Sequence, residues 1–250
     1  MGGAAVDILM YHSISNDVGP TSITPQVFSN QMEMVAESGI QVISMDQFLV
    51  YSLNPNAHSD RAIVLTFDDG FQNFADTAFP ILQRHKFRAT VFLATDYVGQ
   101  TDIWEQSNSS SKKILPWGVV RDLSRNGVVF GSHSVSHADL TLLKPNTLKV
   151  ELKASKQEIE CKIGKACKHF AFPYGRTNDE VNNMVSRYYT SSVGTRFDRT
   201  TVGSSVYNLP RLEMFYFNHL DRWRDYLGGR GAGYFAARQL LRKLRRRLTT

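Results

Sequence analysis

Four short polar clusters, each at the end of an apolar run, hold the residues of this sequence that could do chemistry. Asp68 and Asp69 follow the most apolar run, 62–67, and precede Gly70. Adjacent carboxylates repel each other and call for a cation or a proton between them. The glycine permits a tight turn that leaves both at a strand end, although Asp-Asp-Gly is also ordinary turn chemistry. His133 and His137 stand four apart in Gly-Ser-His-Ser-Val-Ser-His, and a helical turn there would bring both imidazoles to one metal. With an aspartate from another strand end, the set is two imidazoles and one carboxylate with coordination positions left open, the pattern of a catalytic rather than a structural site. His12, after Met10-Tyr11, and Phe172-Pro173-Tyr174-Gly175 close two further runs. Taken singly, the first reads as a hydrogen-bonded structural histidine and the second as a strand-to-turn transition.

The elements that must position these residues follow from periodicity. Runs 6–11, 62–67, 88–94, 128–131, 169–172, 189–193 and 209–214 read as strands, several apolar throughout as in a parallel sheet covered on both faces. Thr24-Pro25 opens a helix with Phe28, Met32 and Val35 on one face and Gly39 as its stop. Segments 116–127 and 145–163 behave alike, and Thr177 to Glu180 has capping-box spacing. About seven βα units predict a single α/β domain, a distorted (β/α)7-type barrel, with the polar clusters together at the C-terminal strand ends. The polar stretch 106–113 lacks any period and reads as a loop. Trp104 and Trp117 beside it could stack on a ligand, though Trp117 suits core packing equally well.

Composition narrows the partners. The chain has 250 residues, 42% hydrophobic, and no apolar stretch long enough to span a bilayer. Of its 29 basic residues, Arg238, Arg242, Lys243, Arg245, Arg246 and Arg247 lie in the last thirteen positions without an acid, and the remainder balance the 23 acidic ones. A neutral body argues against a nucleic-acid partner. The tail places Tyr234, Ala237, Leu241, Leu244 and Leu248, with Leu240 beside them, on one helical stripe. The expected division is therefore a catalytic domain over 1–233 and a basic amphipathic C-terminal helix over 234–250, which could pack on the barrel or lie on an anionic membrane. Cys161 and Cys167 are too few for a disulfide framework and read as two ordinary thiols. The first residues show no basic segment ahead of an apolar run, so the expectation is a cytoplasmic protein, peripheral at the inner face of the membrane if the tail docks there.

The sequence resembles the polysaccharide deacetylases of carbohydrate esterase family 4, the NodB-homology group that includes chitin and peptidoglycan deacetylases. Thr66-Phe67-Asp68-Asp69-Gly70 matches the family's first motif, His133-Ser-Val-Ser-His137 its second, and Phe172-Pro173-Tyr174-Gly175 the core of its third. Ala171 stands where the third motif usually has arginine, and no late Leu-x-His motif is present. Both departures resemble the permuted branch of poly-N-acetylglucosamine-type deacetylases, in which a Tyr-His pair at the first strand, here Tyr11-His12, supplies the acid, and a Leu-Pro-Arg element follows late, here Leu209-Pro210-Arg211.

The resemblance implies a NodB-like barrel and a metal-dependent N-deacetylase. Its substrate would be an N-acetylated amino sugar of a bacterial surface glycan, or a lipid- or nucleotide-linked precursor of one. Asp69, His133 and His137 would hold a divalent metal, zinc first and cobalt, nickel, manganese or iron after it, which lowers the pKa of bound water to about 7. Asp68 would be the base, His12 the acid, the backbone N–H of Tyr174 an oxyanion donor, and Arg211 the residue that orients Asp68. Phe172, Pro173 and Trp104 would contact substrate. Three other readings stay open at this point. A deformylase of the same fold uses the same chemistry. An iron(II) oxygenase shares the ligand set but has no use for Asp68. An inactive glycan-binding module would have lost Asp68 or a ligand, and all are present.

Overall fold

Ala62–Phe67 is buried at every residue, and so long an apolar strand must be covered on both faces. The computed structural model of the chain describes residues 5–53, 61–104, 111–201 and 205–248, the side chains of 53, 201 and 243–248 excepted. In chain order the elements are β1 (Ala5–Tyr11), β2 (Ser13–Ile14), β3 (Ser22–Ile23), α1 (Pro25–Glu37), β4 (Gln41–Ile43), α2 (Met45–Leu53), β5 (Ala62–Phe67), α3 (Phe79–Arg84), β6 (Ala89–Leu93) and α4 (Trp117–Arg125). There follow β7 (Val129–Ser132), α5 (Pro145–Ile163), β8 (His169–Ala171), α6 (Asp179–Ser186), β9 (Ser191–Val193), β10 (Thr200–Thr201), β11 (Leu212–Glu213), α7 (Leu220–Leu227) and α8 (Ala232–Leu248).

The main sheet runs β10-β1-β5-β6-β7-β8-β9, and only β10 is antiparallel to its neighbour. The segment 209–213 then bridges β9 and β1. Leu209 bridges to Val193 of β9, while Leu212 and Glu213 pair in parallel with Leu9 and Met10 of β1. Seven staves therefore surround a curled barrel of the expected (β/α)7 type. The strand expected over 209–214 is regular only at Leu212–Glu213, because its first residues pair with β9 and its last with β1. Alternate strand residues separate into two clusters. Val6, Ile8, Val64, Phe92, Ala171, Val193 and Leu209 meet one another, while Leu9, Tyr11, Ile63, Leu65, Phe67, Val91 and Leu93 belong to a larger cluster with α1 and the other helices.

Local sequence sets the helix ends. Thr24 caps α1 by accepting from Val27 N, with Pro25 in the first turn, and α5 stops at Gly164, φ +68°, a conformation that costs glycine little. The cap of α6 is Asn178, which accepts from Val181 N at 2.9 Å, one residue beyond the expected Thr177; its amide oxygen reaches the third helical N–H. Trp117 packs against the main core beneath Lys162. Both cysteines are free thiols, Cys161 exposed and Cys167 buried.

The expected apolar stripe on α8 divides. Tyr234 and Phe235 pack on the core, Gln239 and Arg242 bond to the barrel at Asp198 and Thr195, and Arg238 lies over the Tyr216 ring. Ala237, Leu240 and Leu241 are exposed. Aromatic rings and arginine stems cover more apolar surface than alanine does, so they take the inward side. Leu244 and Leu248 of that stripe lie outside the described side chains. Among the described residues no helix is long and apolar enough to cross a membrane.

Candidate active site

The chain turns sharply after β5. Thr66 Oγ1 donates to Leu9 O at 2.7 Å and Asp68 N to Tyr11 O at 2.9 Å, which pins the strand end to β1. Asp69 and Gly70 both take φ near +68°, and a Cβ on Gly70 would collide with the side chain of Leu93. This turn sends the two carboxylates to different partners. Asp68 is clamped by Arg211, whose Nη1 and Nη2 each donate to one carboxylate oxygen at 2.7 Å, a bidentate pair of high geometric specificity. Arg211 is itself fully buried and anchored to Gly194 O and Thr66 Oγ1. Burial would raise the pKa of Asp68, but the guanidinium outweighs it and keeps the carboxyl below its ordinary range.

Asp69 faces the histidines instead. Its Oδ1 lies 3.3 Å from His137 Nε2 and 3.6 Å from His133 Nε2. The segment 133–137 is not the helical turn that its spacing suggests. Ser134 and His137 have φ of +67° and +57°, and Glu151 of α5 holds the loop by accepting from Val135 N, Ser136 N and Ser136 Oγ at 2.7–3.0 Å. His133 Nδ1 donates to Ala171 O at 2.7 Å, so the neutral ring presents an unprotonated Nε2 to Asp69. Burial and the neighbouring His137 push the pKa of His133 down to about 4, which keeps it neutral. A lone pair facing a carboxylate oxygen is repulsive unless a cation stands between them. The three donor atoms lie within 4.8 Å of one another, and the carbonyl behind His133 is the usual support of a metal-ligating imidazole. This donor set fits a divalent cation.

His12 ends β1 beside the same turn, its Nε2 3.9 Å from Asp68 Oδ2. Burial lowers its pKa, but Glu213, Asp68 and Asp69 together outweigh burial and Arg211, and the net shift is upward. All these groups open into one cleft of about 390 Å³, whose wall also includes Trp104, Phe172 and Tyr174. Trp104 stacks on His137 with centroids 4.2 Å apart, and Tyr174 meets the same ring edge-on. Pro173 is buried in the 3₁₀ turn Pro173–Gly175 and is not part of the cleft wall, and Tyr174 in that turn has φ +57°. The structure thus gathers His12, Asp68, Asp69, His133, His137, Phe172, Tyr174 and Trp104 around one space, with Arg211 directly behind.

Glu213, Thr195, Tyr216 and Arg242 also line it, and the sequence reading did not single them out. Glu213 ends the closing strand with no motif around it. The only signal was its position, two residues after Arg211. Arg242 sits within a run of basic residues, which hides any one of them.

The family model for polysaccharide deacetylases matches residues 56–192, more than half of the chain, and the chain belongs to that family of carbohydrate hydrolases. Asp68, Asp69, His133, His137 and Tyr174 fall inside the matched stretch, whereas His12 and Arg211 fall outside it. The chain is 28% identical over 220 residues to the poly-β-1,6-N-acetyl-D-glucosamine N-deacetylase of Staphylococcus epidermidis, covering 82% of this chain and 72% of that protein. Among solved structures, IcaB of Ammonifex degensii superposes with a TM-score of 0.76 at 17% identity, over 92% of this chain and 98% of that one. The Streptococcus pyogenes deacetylase PplD, solved with acetate, superposes with a TM-score of 0.71 at 23% identity, over 84% and 94%. These two likenesses establish the fold.

Proposed function

We propose that this protein is a metal-dependent N-deacetylase of an amino sugar in a bacterial surface glycan or in a lipid- or nucleotide-linked precursor of one. One observation carries the reading: neighbouring aspartates have separate surroundings, Asp69 against two imidazole Nε2 atoms and Asp68 against Arg211 and His12. The Staphylococcus relatives, named for N-deacetylation of poly-β-1,6-N-acetyl-D-glucosamine, support the substrate class.

Asp69, His133 and His137 would hold the metal, which when bound supplies Lewis acidity toward water and the amide oxygen. Asp68, kept ionised by Arg211, accepts the proton of the attacking water at a carboxylate oxygen. Arg211 fixes the plane of that carboxylate, so the acceptor lone pairs point where the fold directs them. The backbone N–H of Tyr174 stabilises the developing oxyanion, a contribution of roughly 3–4 kcal/mol for one well-placed donor. His12, whose pKa Glu213 and the two aspartates raise, gives its proton to the leaving nitrogen, which departs poorly as an anion. Trp104 and Phe172 give the sugar ring an apolar wall.

The test is turnover of N-acetyl and N-formyl forms of the same glucosamine oligomer, read as acetate or formate released. Acetate release that chelator abolishes and zinc or cobalt restores is the expected result. Full activity in metal-free enzyme would sink the mechanism, and release of formate alone would transfer the reading to deformylation.

A further inference from the structure

One cation in the cleft wall is used by no step of this mechanism. Arg242 reaches the cleft from α8. Its Nη2 donates to Thr195 O at 2.8 Å and its Nη1 to Tyr216 Oη at 3.3 Å, and its guanidinium lies 5.5 Å from the centre of the Tyr216 ring. Arg238, one helical turn earlier, lies 4.6 Å from the centre of the same ring and donates to Tyr234 Oη at 3.1 Å. Two guanidinium groups therefore share one cleft-lining tyrosine. Among the described residues, ion pairs hold Arg61, Arg125, Arg176, Arg199, Arg211, Arg224 and Arg230 to carboxylates, but neither Arg238 nor Arg242 has such a partner. Glu213, in the same wall, feels the charge of Arg242 without pairing with it.

A guanidinium that served only to fasten α8 would need no position in the cleft, since Tyr234, Phe235 and Gln239 already fasten it. Arg242 has spent two of its N–H groups on a carbonyl and a hydroxyl, neither of which neutralises it. Its fixed fork matches the oxygens of a phosphate better than a lysine would, and the two aromatic rings beneath it hold that fork still. We infer that Arg242 forms an anion subsite of the cleft, and that the amino-sugar substrate bears a phosphate ester, whether nucleotide-linked or lipid-linked. The inference rests on the deacetylase reading for the sugar, while the subsite itself stands on the position of Arg242.

Two measurements separate the claims. Calorimetry compares binding of N-acetylglucosamine 1-phosphate with that of N-acetylglucosamine by the full-length enzyme as isolated, in wild type, Arg242→Gln and Arg242→Lys. Wild type should prefer the phosphate, and Arg242→Gln should lose about tenfold or more of that preference, the scale of one charge-assisted bidentate contact. Arg242→Lys, which keeps the charge and loses the fork, should fall between them, and it decides the matter should the glutamine variant fail to fold. A phosphate preference that survives both substitutions, or none in wild type, overturns the subsite. Turnover is then measured on a neutral N-acetylglucosamine oligomer and on nucleoside-diphosphate-linked and prenyl-diphosphate-linked N-acetylglucosamine. Arg242→Gln should lower the kcat/KM ratio of phosphorylated to neutral substrate, chiefly through KM, and the linked substrate with the larger drop identifies the source of the phosphate. If wild type deacetylates none of the three, the deacetylase reading fails while calorimetry still decides the subsite. An equal loss on all three overturns the subsite alone.

Discussion

Two buried acidic centres lie on adjacent strands of this barrel, at opposite ends, and differ in what is left after their hydrogen bonds are counted. Asp7, early in β1, is fully buried. Arg199 Nε and Tyr226 Oη reach its Oδ1 at 2.8 and 2.9 Å, and Arg61 Nε reaches its Oδ2 at 2.7 Å. Both oxygens of the carboxylate are satisfied, and only Arg61 Nη2 beside it lacks an acceptor. At the far end of β5, Asp68 is likewise clamped by an arginine, but Asp69 beside it faces two imidazole Nε2 atoms, and the buried Nδ1 atoms of His12 and His137 have no hydrogen-bond partner. The backbone differs too. Of six non-glycine residues with positive φ among the described residues, four are Asp69, Ser134, His137 and Tyr174, each at a cost of order 1–3 kcal/mol. Backbone strain gathers around the candidate ligands, whereas the carboxylate of Asp7 is fully bonded and serves as a fastening.

The largest effect that can test this contrast is removal of a ligand. Asp69→Ala, His133→Ala or His137→Ala should each reduce metal content and activity to background, measured by elemental analysis and acetate release. Retention of metal by any of the three would assign the site elsewhere. Next comes Asp68→Asn, expected to keep metal near stoichiometric while losing at least ~100-fold in rate, the lower end of a general base's contribution. Metal loss equal to that of Asp69→Ala would erase the division between the neighbours.

Asp7→Asn should behave in the opposite way. It should lower stability by about 2–3 kcal/mol, since breaking a buried, hydrogen-bonded charge costs that much even when its arginines can turn to solvent, while kcat of the folded fraction holds. Chemical denaturation alongside kinetics reads both. The smallest effect concerns His12. Its raised pKa means that the acid is present below that value and lost as pH climbs through it, so activity should fall on the alkaline side. His12→Gln should flatten that limb with metal content unchanged, and an unaltered pH profile would return His12 to a structural role.

Most of the barrel could be read from the sequence because its strands are uniform apolar runs, and Ala62–Phe67 and Pro145–Ile163 fall where periodicity put them. The paired Asp68-Asp69 and the spaced histidines marked the site for the same reason: their chemistry is local. What escaped depended on distant partners. The 133–137 segment has helical spacing, but Glu151, from another element, draws its backbone into a different path. Glu213 matters only because β11 pairs with β1. Arg242 could not be told from its basic neighbours, since periodicity gives the faces of α8 but not which face the aromatic wall at Phe197 and Tyr216 would attract.

The closing stave has a consequence for how the enzyme comes into being. Asp68 is synthesised in the first third of the chain, yet the arginine that clamps it arrives at position 211, on the segment that shuts the barrel between β9 and β1. Until that segment has left the ribosome, the barrel is an open sheet with a bare edge, the aspartate lacks its clasp, and the three candidate ligands are already made. Assembly therefore orders the site in time: the three candidate ligands come first and the clamp on Asp68 last.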